Sequence, residues 1–339
     1  MNFDKSFHEE CNKAPRLNEM HAFFSNTAAG ISGRPKLNPV VNPKLFEGDE
    51  DLFTFSKLHK KFWGDFDLHY YCSIPYRLEE EVRIGDALLN YSSESNSILN
   101  YYILGAAEGS LARTLGYAAD GKIKTLSCSP NIENKINFYN KNHTHHSTFF
   151  LGPFHKINPT ILKSYHKEFS FYKGFDILME DTTFQMYSNN RDGQINHVCK
   201  LLKSDGILIL NEKFKANNEA EYLMREKQKD DDFKSVYFNE QDILKKSEEI
   251  LGKMYHNEVT IGDIKKCLSK HFTYSAITWN SGNFYTIVSS NNFKNITRFL
   301  YGMSPPCIPT EFSYIDAPFP LLGLSGGDVS FKNSRRKTS

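Results

Sequence analysis

Two side chains are spaced so that they can act on a bound molecule. Asp181 stands at the carboxyl end of the apolar run 175–180, and Lys213 lies just beyond a second run, 206–211. An aspartate at such an edge can take a proton from an attacking oxygen or nitrogen. Each residue also has a plainer reading: aspartate is favoured at helix caps and turns, and lysine is seldom buried. Glu180 offers a second carboxylate at the same edge. What they would act on is suggested by the stretch Tyr101-Tyr102-Ile103-Leu104-Gly105-Ala106-Ala107-Glu108-Gly109-Ser110-Leu111-Ala112-Arg113. It reads as a buried strand, a tight turn of small residues and a helix. Glycine permits backbone angles that other residues resist. Small side chains leave the main chain bare, and the helix start aims unpaired N–H groups at a ligand. Such a unit binds a nucleotide-like cofactor at the carboxyl edge of a parallel sheet.

The elements that position these residues follow a regular alternation. Strands are expected at 98–104, 122–128, 148–151, 175–180 and 206–211, with helices at 110–117, 131–141 and 192–202 between them. The unbroken apolar run at 206–211 suits a strand covered on both faces. A helix at 260–271 leads into two strands, 274–279 and 284–289, joined by a hairpin turn at 280–283. The order predicts a doubly wound α/β sheet. Its closing hairpin puts a reversed strand into an otherwise parallel array.

This order resembles the class I S-adenosylmethionine-dependent methyltransferases, whose fold is a Rossmann-like, mostly parallel sheet with an antiparallel terminal strand. Four places carry the likeness across about residues 96–292: the glycine-rich turn from Ile103 to Gly109, the second-strand end Leu126-Ser127-Cys128-Ser129-Pro130, the fourth-strand run Phe175 to Asp181, and the element Leu201 to Leu210 around Gly206. The resemblance implies S-adenosyl-L-methionine as cofactor, held by Gly105, Ala106, Ala107, Glu108, Gly109, Ser127 and Glu180, with Asp181 and Lys213 as catalytic residues. Two positions depart from the family's pattern. An acid usually precedes the first glycine by two residues, where this chain has Ile103, and an acid usually ends the second strand, where this chain has Ser127. Replacing that charged acceptor by serine removes about 1.5–3 kcal/mol of cofactor binding. A fold retained as a catalytically inactive binding or structural module is therefore a second reading. A nicotinamide-dependent dehydrogenase needs the same acid, and the hairpin favours methyl transfer.

Asp181 and Lys213 also resemble two members of the Lys-Asp-Lys-Glu set of the FtsJ-like ribose 2′-O-methyltransferases, with Asn283 where the family has its glutamate. This third reading implies an exposed basic track near Lys213. The methyl acceptor, whether small molecule, protein or RNA, and the oligomeric state stay open.

Bulk properties bound the alternatives. The 339 residues carry a formal net charge of +1, so no global field draws the chain to nucleic acid or acidic lipid. No window approaches 18 consecutive apolar residues, and the first residues lack a signal-peptide pattern. A cytoplasmic protein without membrane contact is expected. The six cysteines are scattered without a C-x-x-C pair, so reduced, mostly buried thiols are expected rather than disulfides or zinc. The cluster His143-Thr144-His145-His146 reads as a loop before the third strand, and no metal is expected. Residues 1–90 read as an arm and accessory segment: irregular to 45 with a short helix near 17–24, then helical at 51–63 and 79–89. Residues 91–300 form the methyltransferase-like domain with a helical insertion near 217–258, and 301–339 are an extension whose last fifteen residues are expected to be disordered. The charge block 227–232 reads as a solvated segment, and the aromatic group Phe62, Trp63, Phe66, His69, Tyr70, Tyr71 and Tyr76 as core or an interface within the chain; stacking on bases or lining a substrate lid is its alternative reading.

Overall fold

The computed structural model describes residues 2–46 and 48–332. Eight strands form one sheet: β1 (Leu99–Leu104), β2 (Ile123–Ser129), β3 (Ser147–Leu151), β4 (Phe175–Asp181), β5 (Leu202–Lys213), β6 (Tyr274–Ser281), β7 (Phe284–Ser290) and β8 (Phe319–Leu322). Their order is β3-β2-β1-β4-β5-β7-β6-β8. The pairs among β1 to β5 are parallel, whereas β7 runs against both β5 and β6, and β8 against β6. This is the Rossmann-like methyltransferase arrangement that the strand order predicts. The reversed hairpin strand β7 inserts between β5 and β6, and β8 adds an edge strand that the sequence did not announce.

Side-chain alternation sends Tyr102, Leu104, Leu178, Leu208 and Leu210 to one apolar cluster. Tyr101, Ile103, Met179, Ile207 and Ile209 go to a second cluster on the other face. Both faces are thus sealed, which is why the middles of the central strands, at 177–179 and 207–210, are wholly apolar.

The N-terminal ninety residues are more ordered than their proline and glycine content suggests. Helices α1 (Asn2–Asn12) and α2 (His21–Ala28) replace the expected arm. Phe7, Cys11, Met20, Phe24 and Ala28 bury into the first cluster. Burial against the sheet overrides the local breakers, since tertiary packing supplies most helix stability. Helix α3 (Glu50–His59) is capped by Asp49, whose carboxylate accepts the Leu52 N–H at 3.3 Å. Helix α4 (Asp65–Tyr71) begins where Asp67 accepts the Gly64 N–H at 2.8 Å. Helix α5 (Arg77–Ser93) lies against the second cluster. Helix α6 (Ser110–Ala118) follows the glycine-rich turn.

Helices from Glu219 to Asn257 form the insertion between β5 and β6, interrupted by π-helical turns at Lys229–Lys234 and Ser247–Leu251. The charge block there is not wholly solvated: Lys227 pairs with Asp231 in the open, but Lys229 and Lys234 are buried. The C-terminal segment is ordered further than expected. Val329 and Phe331 are buried, and the Lys332 N–H reaches the Met303 carbonyl at 2.7 Å. Residues 333–339 of the expected disordered tail lie outside the described residues. No described helix is long and apolar enough to cross a membrane.

Candidate functional site

The glycine-rich turn meets the sheet where β1 lies between β2 and β4, the point at which strand order reverses. Gly105 has φ +85° and Ala107 φ +42°. Gly109, at φ +67°, starts α6. Gly105 admits no side chain: a Cβ there would stand 1.7 Å from Thr183 Oγ1 and 2.3 Å from the Asp181 carbonyl oxygen.

A cavity opens on this edge. Its floor is Gly105, Ala106 and Ala107, with Cys128, Ser129 and Pro130 at the end of β2 and Asp181, Thr182 and Thr183 at the end of β4. Its roof comes from the N-terminal helices and the insertion, through Arg16, Phe24, Phe66, Tyr70 and Lys246 among others. The cavity measures about 100 Å³, less than the roughly 300–1,000 Å³ of typical small-molecule pockets.

Asp181 is held on two sides. Tyr70 Oη donates to its Oδ1 at 2.6 Å, and Arg77 Nη2 donates to its Oδ2 at 2.9 Å. Burial pushes the Asp181 carboxyl up to about 6, and Arg77 opposes that rise. Arg77 also pairs with Glu81 at 3.0 Å, Glu81 accepts from Tyr71 at 2.8 Å, and Tyr71 contacts His59 at 2.9 Å. A buried polar chain therefore runs from α3 through α4 and α5 to the cavity.

Lys213 is elsewhere. It is 1% exposed, does not line the cavity, and contacts Tyr222 at 2.7 Å, Glu226 at 2.8 Å and Glu258 at 3.2 Å. Burial pulls its ammonium down, but Glu226 and Glu258 overcome that and hold it well above the ordinary lysine value. Asn283 bonds Glu226 at 2.9 Å and the Tyr222 carbonyl at 3.1 Å. The exposed basic track implied by the ribose methyltransferase likeness is not formed around Lys213.

Of the expected cofactor residues, Gly105, Ala106 and Ala107 line the cavity. Glu108 is buried beneath α4, where its Oε1 accepts the Phe66 N–H at 2.6 Å. Gly109 packs on Ser127, whose Oγ would lie 2.6 Å from a Cβ on that glycine. Ser127 is fully buried within β2; the residue on the same strand face that reaches the cavity is Ser129. Glu180 turns back on its own strand end, its Oε1 accepting from the Thr183 N–H at 2.5 Å and the Phe184 N–H at 3.0 Å. Burial, and Glu212 beside it, raise the Glu180 carboxyl well above its usual range.

Sequence reasoning passed over Arg16, Asp67 and Lys246, and named Tyr70 only within an aromatic group. Arg16 donates to Asn131 Oδ1 at 2.6 Å and stacks 3.9 Å from the Phe24 ring centroid. Its Nη1 is buried with no partner among the described residues. Asp67 accepts from Ser110 Oγ at 3.1 Å, and burial raises its carboxyl to about 8. Only the aromatic density at 62–76 hinted at α4, whose rings pack within the chain as expected. The six cysteines are free. The His143–His146 loop precedes β3 and borders a shallow cleft with Tyr117 and Asp120, and the described residues hold no group of three or more potential metal-ligating side chains.

Comparison with protein-family models and with curated proteins gives no match. Among solved structures, the chain is similar to the plantazolicin methyltransferase BpumL in complex with SAH, at 10% identity and TM-score 0.45, over 74% of this chain and all of that one. It is also similar to the magnesium protoporphyrin IX methyltransferase ChlM from Synechocystis PCC 6803 with bound SAM, at 13% identity and TM-score 0.36, over 75% of this chain and all of that one. The cyclopropane synthase MmaA2 from Mycobacterium tuberculosis gives 13% identity and TM-score 0.42, over 78% and 82%.

Proposed function

We propose that the chain is an S-adenosylmethionine-dependent methyltransferase. The observation that carries this reading is bare main chain at Gly105, Ala106 and Ala107 on the floor of a cavity at the strand-order reversal, with Asp181 on its wall. The cofactor supplies a methyl group on a sulfonium, open to in-line attack. Gly105–Ala107 main chain would lie along it. Arg16, a donor only, reaches from the N-terminal cap to Asn131 just after β2 and would meet ribose oxygens there, taking the place of the missing acid. Asp181 sets a carboxylate on the cavity wall, where a sulfonium would meet negative charge, while Asp67 beside it keeps its proton near neutral pH. Asp181 would take the acceptor's proton; a carboxyl near 6 is poised for that near neutral pH. Tyr70 and Arg77 fix its orientation.

Calorimetric titration with S-adenosylmethionine and S-adenosylhomocysteine tests the reading. Micromolar to submillimolar binding is expected, and no heat at millimolar ligand overturns it.

One observation favours a binding module without catalysis: Asp181 already has partners for both carboxylate oxygens within the chain. Under that reading S-adenosylhomocysteine binds, but labelled methyl passes to no acceptor.

A further inference from the structure

The insertion contributes three lysines to the cavity wall, Lys229, Lys234 and Lys246, facing His69 and Ser73 of the N-terminal cap. Two of them are neutralised. Lys229 lies 2.7 Å from Glu226 and 3.3 Å from Asp230, and Lys234 lies 2.7 Å from Asp230. Lys246 differs. Its Nζ contacts His69 Nε2 at 2.6 Å and Ser73 Oγ at 2.7 Å, and no carboxylate of the described residues lies within 4.0 Å.

The surrounding bonds fix how these groups can be protonated. His69 Nδ1 is 2.6 Å from the Gly33 carbonyl, which can only accept, so the ring carries its proton there and Nε2 accepts from Lys246. Ser73 donates to the His69 carbonyl at 2.6 Å, leaving its oxygen to accept from Lys246. Two N–H groups of an ammonium are used. The third has no hydrogen-bond acceptor and the cation no counter-charge among the described residues. Burial pushes Lys246 well below the ordinary lysine value, and Lys234 and Lys229 push it further, with Asp230 opposing. A half-buried cation without a partner is costly, so a group that supplies the missing negative charge is bound by the energy of relieving it.

We propose that Lys246, backed by Lys234 and Lys229, binds the anionic group, carboxylate or phosphate, of the methyl acceptor. The assignment to the acceptor rests on the methyltransferase reading; the anion site itself does not. The position agrees with it, since Lys246 meets His69 and Ser73, which flank in sequence the Tyr70 that bonds Asp181. The π-helical turns that carry Lys229, Lys234, Ile250 and Leu251 are where helices commonly deform at functional sites.

Titration of the full chain with inorganic phosphate, and separately with acetate, tests the site, read by calorimetry in two buffers of different ionisation enthalpy near pH 7. Wild type should bind at least one anion with proton uptake. Lys246→Met should lose affinity at least tenfold and have a higher Tm than wild type without anion. Lys246→Arg should retain binding. Lys246→Gln serves in the same role if the Met variant does not fold. The ratio of phosphate to acetate affinity tells which chemistry the site prefers. Equal anion affinity in wild type and the neutral variants, or binding of neither anion by wild type, overturns the site. S-adenosylhomocysteine is titrated in parallel: its failure to bind overturns the methyltransferase reading and leaves the anion result standing.

Discussion

Arg77 and Asp181, 104 residues apart in the chain, meet at 2.9 Å with both side chains buried, the first at the start of α5 and the second at the end of β4. The pair ties the N-terminal cap to the carboxyl edge of the sheet. Arg77 also neutralises Glu81 at 3.0 Å. Truncating it leaves two buried carboxylates without their cation. Arg77→Met should therefore cost about 3–5 kcal/mol, measured by urea unfolding at neutral pH. A loss below about 1 kcal/mol would mean that water reaches both acids.

Asp181→Asn keeps the shape and the contact with Tyr70 but cannot take a proton. Under the methyltransferase reading, turnover should drop by roughly 10²–10⁴-fold, while affinity for S-adenosylhomocysteine changes less than threefold. Lys213→Met should act differently. Lys213 is outside the cavity and balances Glu226 and Glu258. Its loss should lower stability by about 3–5 kcal/mol, and the surviving folded fraction should keep its turnover. Loss of turnover in fully folded Lys213→Met would restore a catalytic role to that lysine.

Glu108 and Asp67 sit between α4 and the glycine-rich turn, and burial raises them to about 7 and about 8 from ordinary values of 4.5 and 3.8. Between about pH 4 and 8 the folded state holds protons at these groups that the unfolded state has released. Stability contributed by them is present at the acid end and falls as pH rises. Glu108→Gln keeps the acceptor for the Phe66 N–H and removes the titration. Its Tm should fall less from pH 5 to pH 8 than that of wild type. Parallel curves would show that Glu108 is solvated in solution.

Gly105→Ala should cost about 2–5 kcal/mol, from the left-handed backbone together with the overlap on β4. Thr183→Ala in the same chain should recover only part of this, because the Asp181 carbonyl stays 2.3 Å from the new methyl. Complete recovery in the double variant would locate the whole conflict at the threonine hydroxyl.

The sheet could be read from the sequence because its information is local: apolar runs of strand length alternate with helical spacing, and 280–283 marks a hairpin. The cap could not. Pro35, Pro39 and Pro43 suggest an arm, yet Phe7 packs on Phe154 and His197, more than a hundred residues away, and Met20 and Phe24 are buried in the same cluster. The candidate site divides in the same way. Gly105 and Asp181 announce themselves by position in a repeating unit. Arg16, Tyr70 and Lys246 gain meaning only when the cap and the insertion fold over the edge. Ser127 shows a finer limit: the strand continues to Ser129, so the strand-end residue facing the cavity falls two positions later.

Arg16 finds its partner Asn131 at a separation of 115 residues, and Tyr70 finds Asp181 at 111. During synthesis from the N-terminus, α1 to α5 emerge well before β4 is made. Their greasy sides then have nothing to settle on for several seconds at ordinary translation rates of roughly 5–20 residues per second. Nascent chains stalled near residue 95 should recruit chaperones, and those stalled beyond the sheet should shed them.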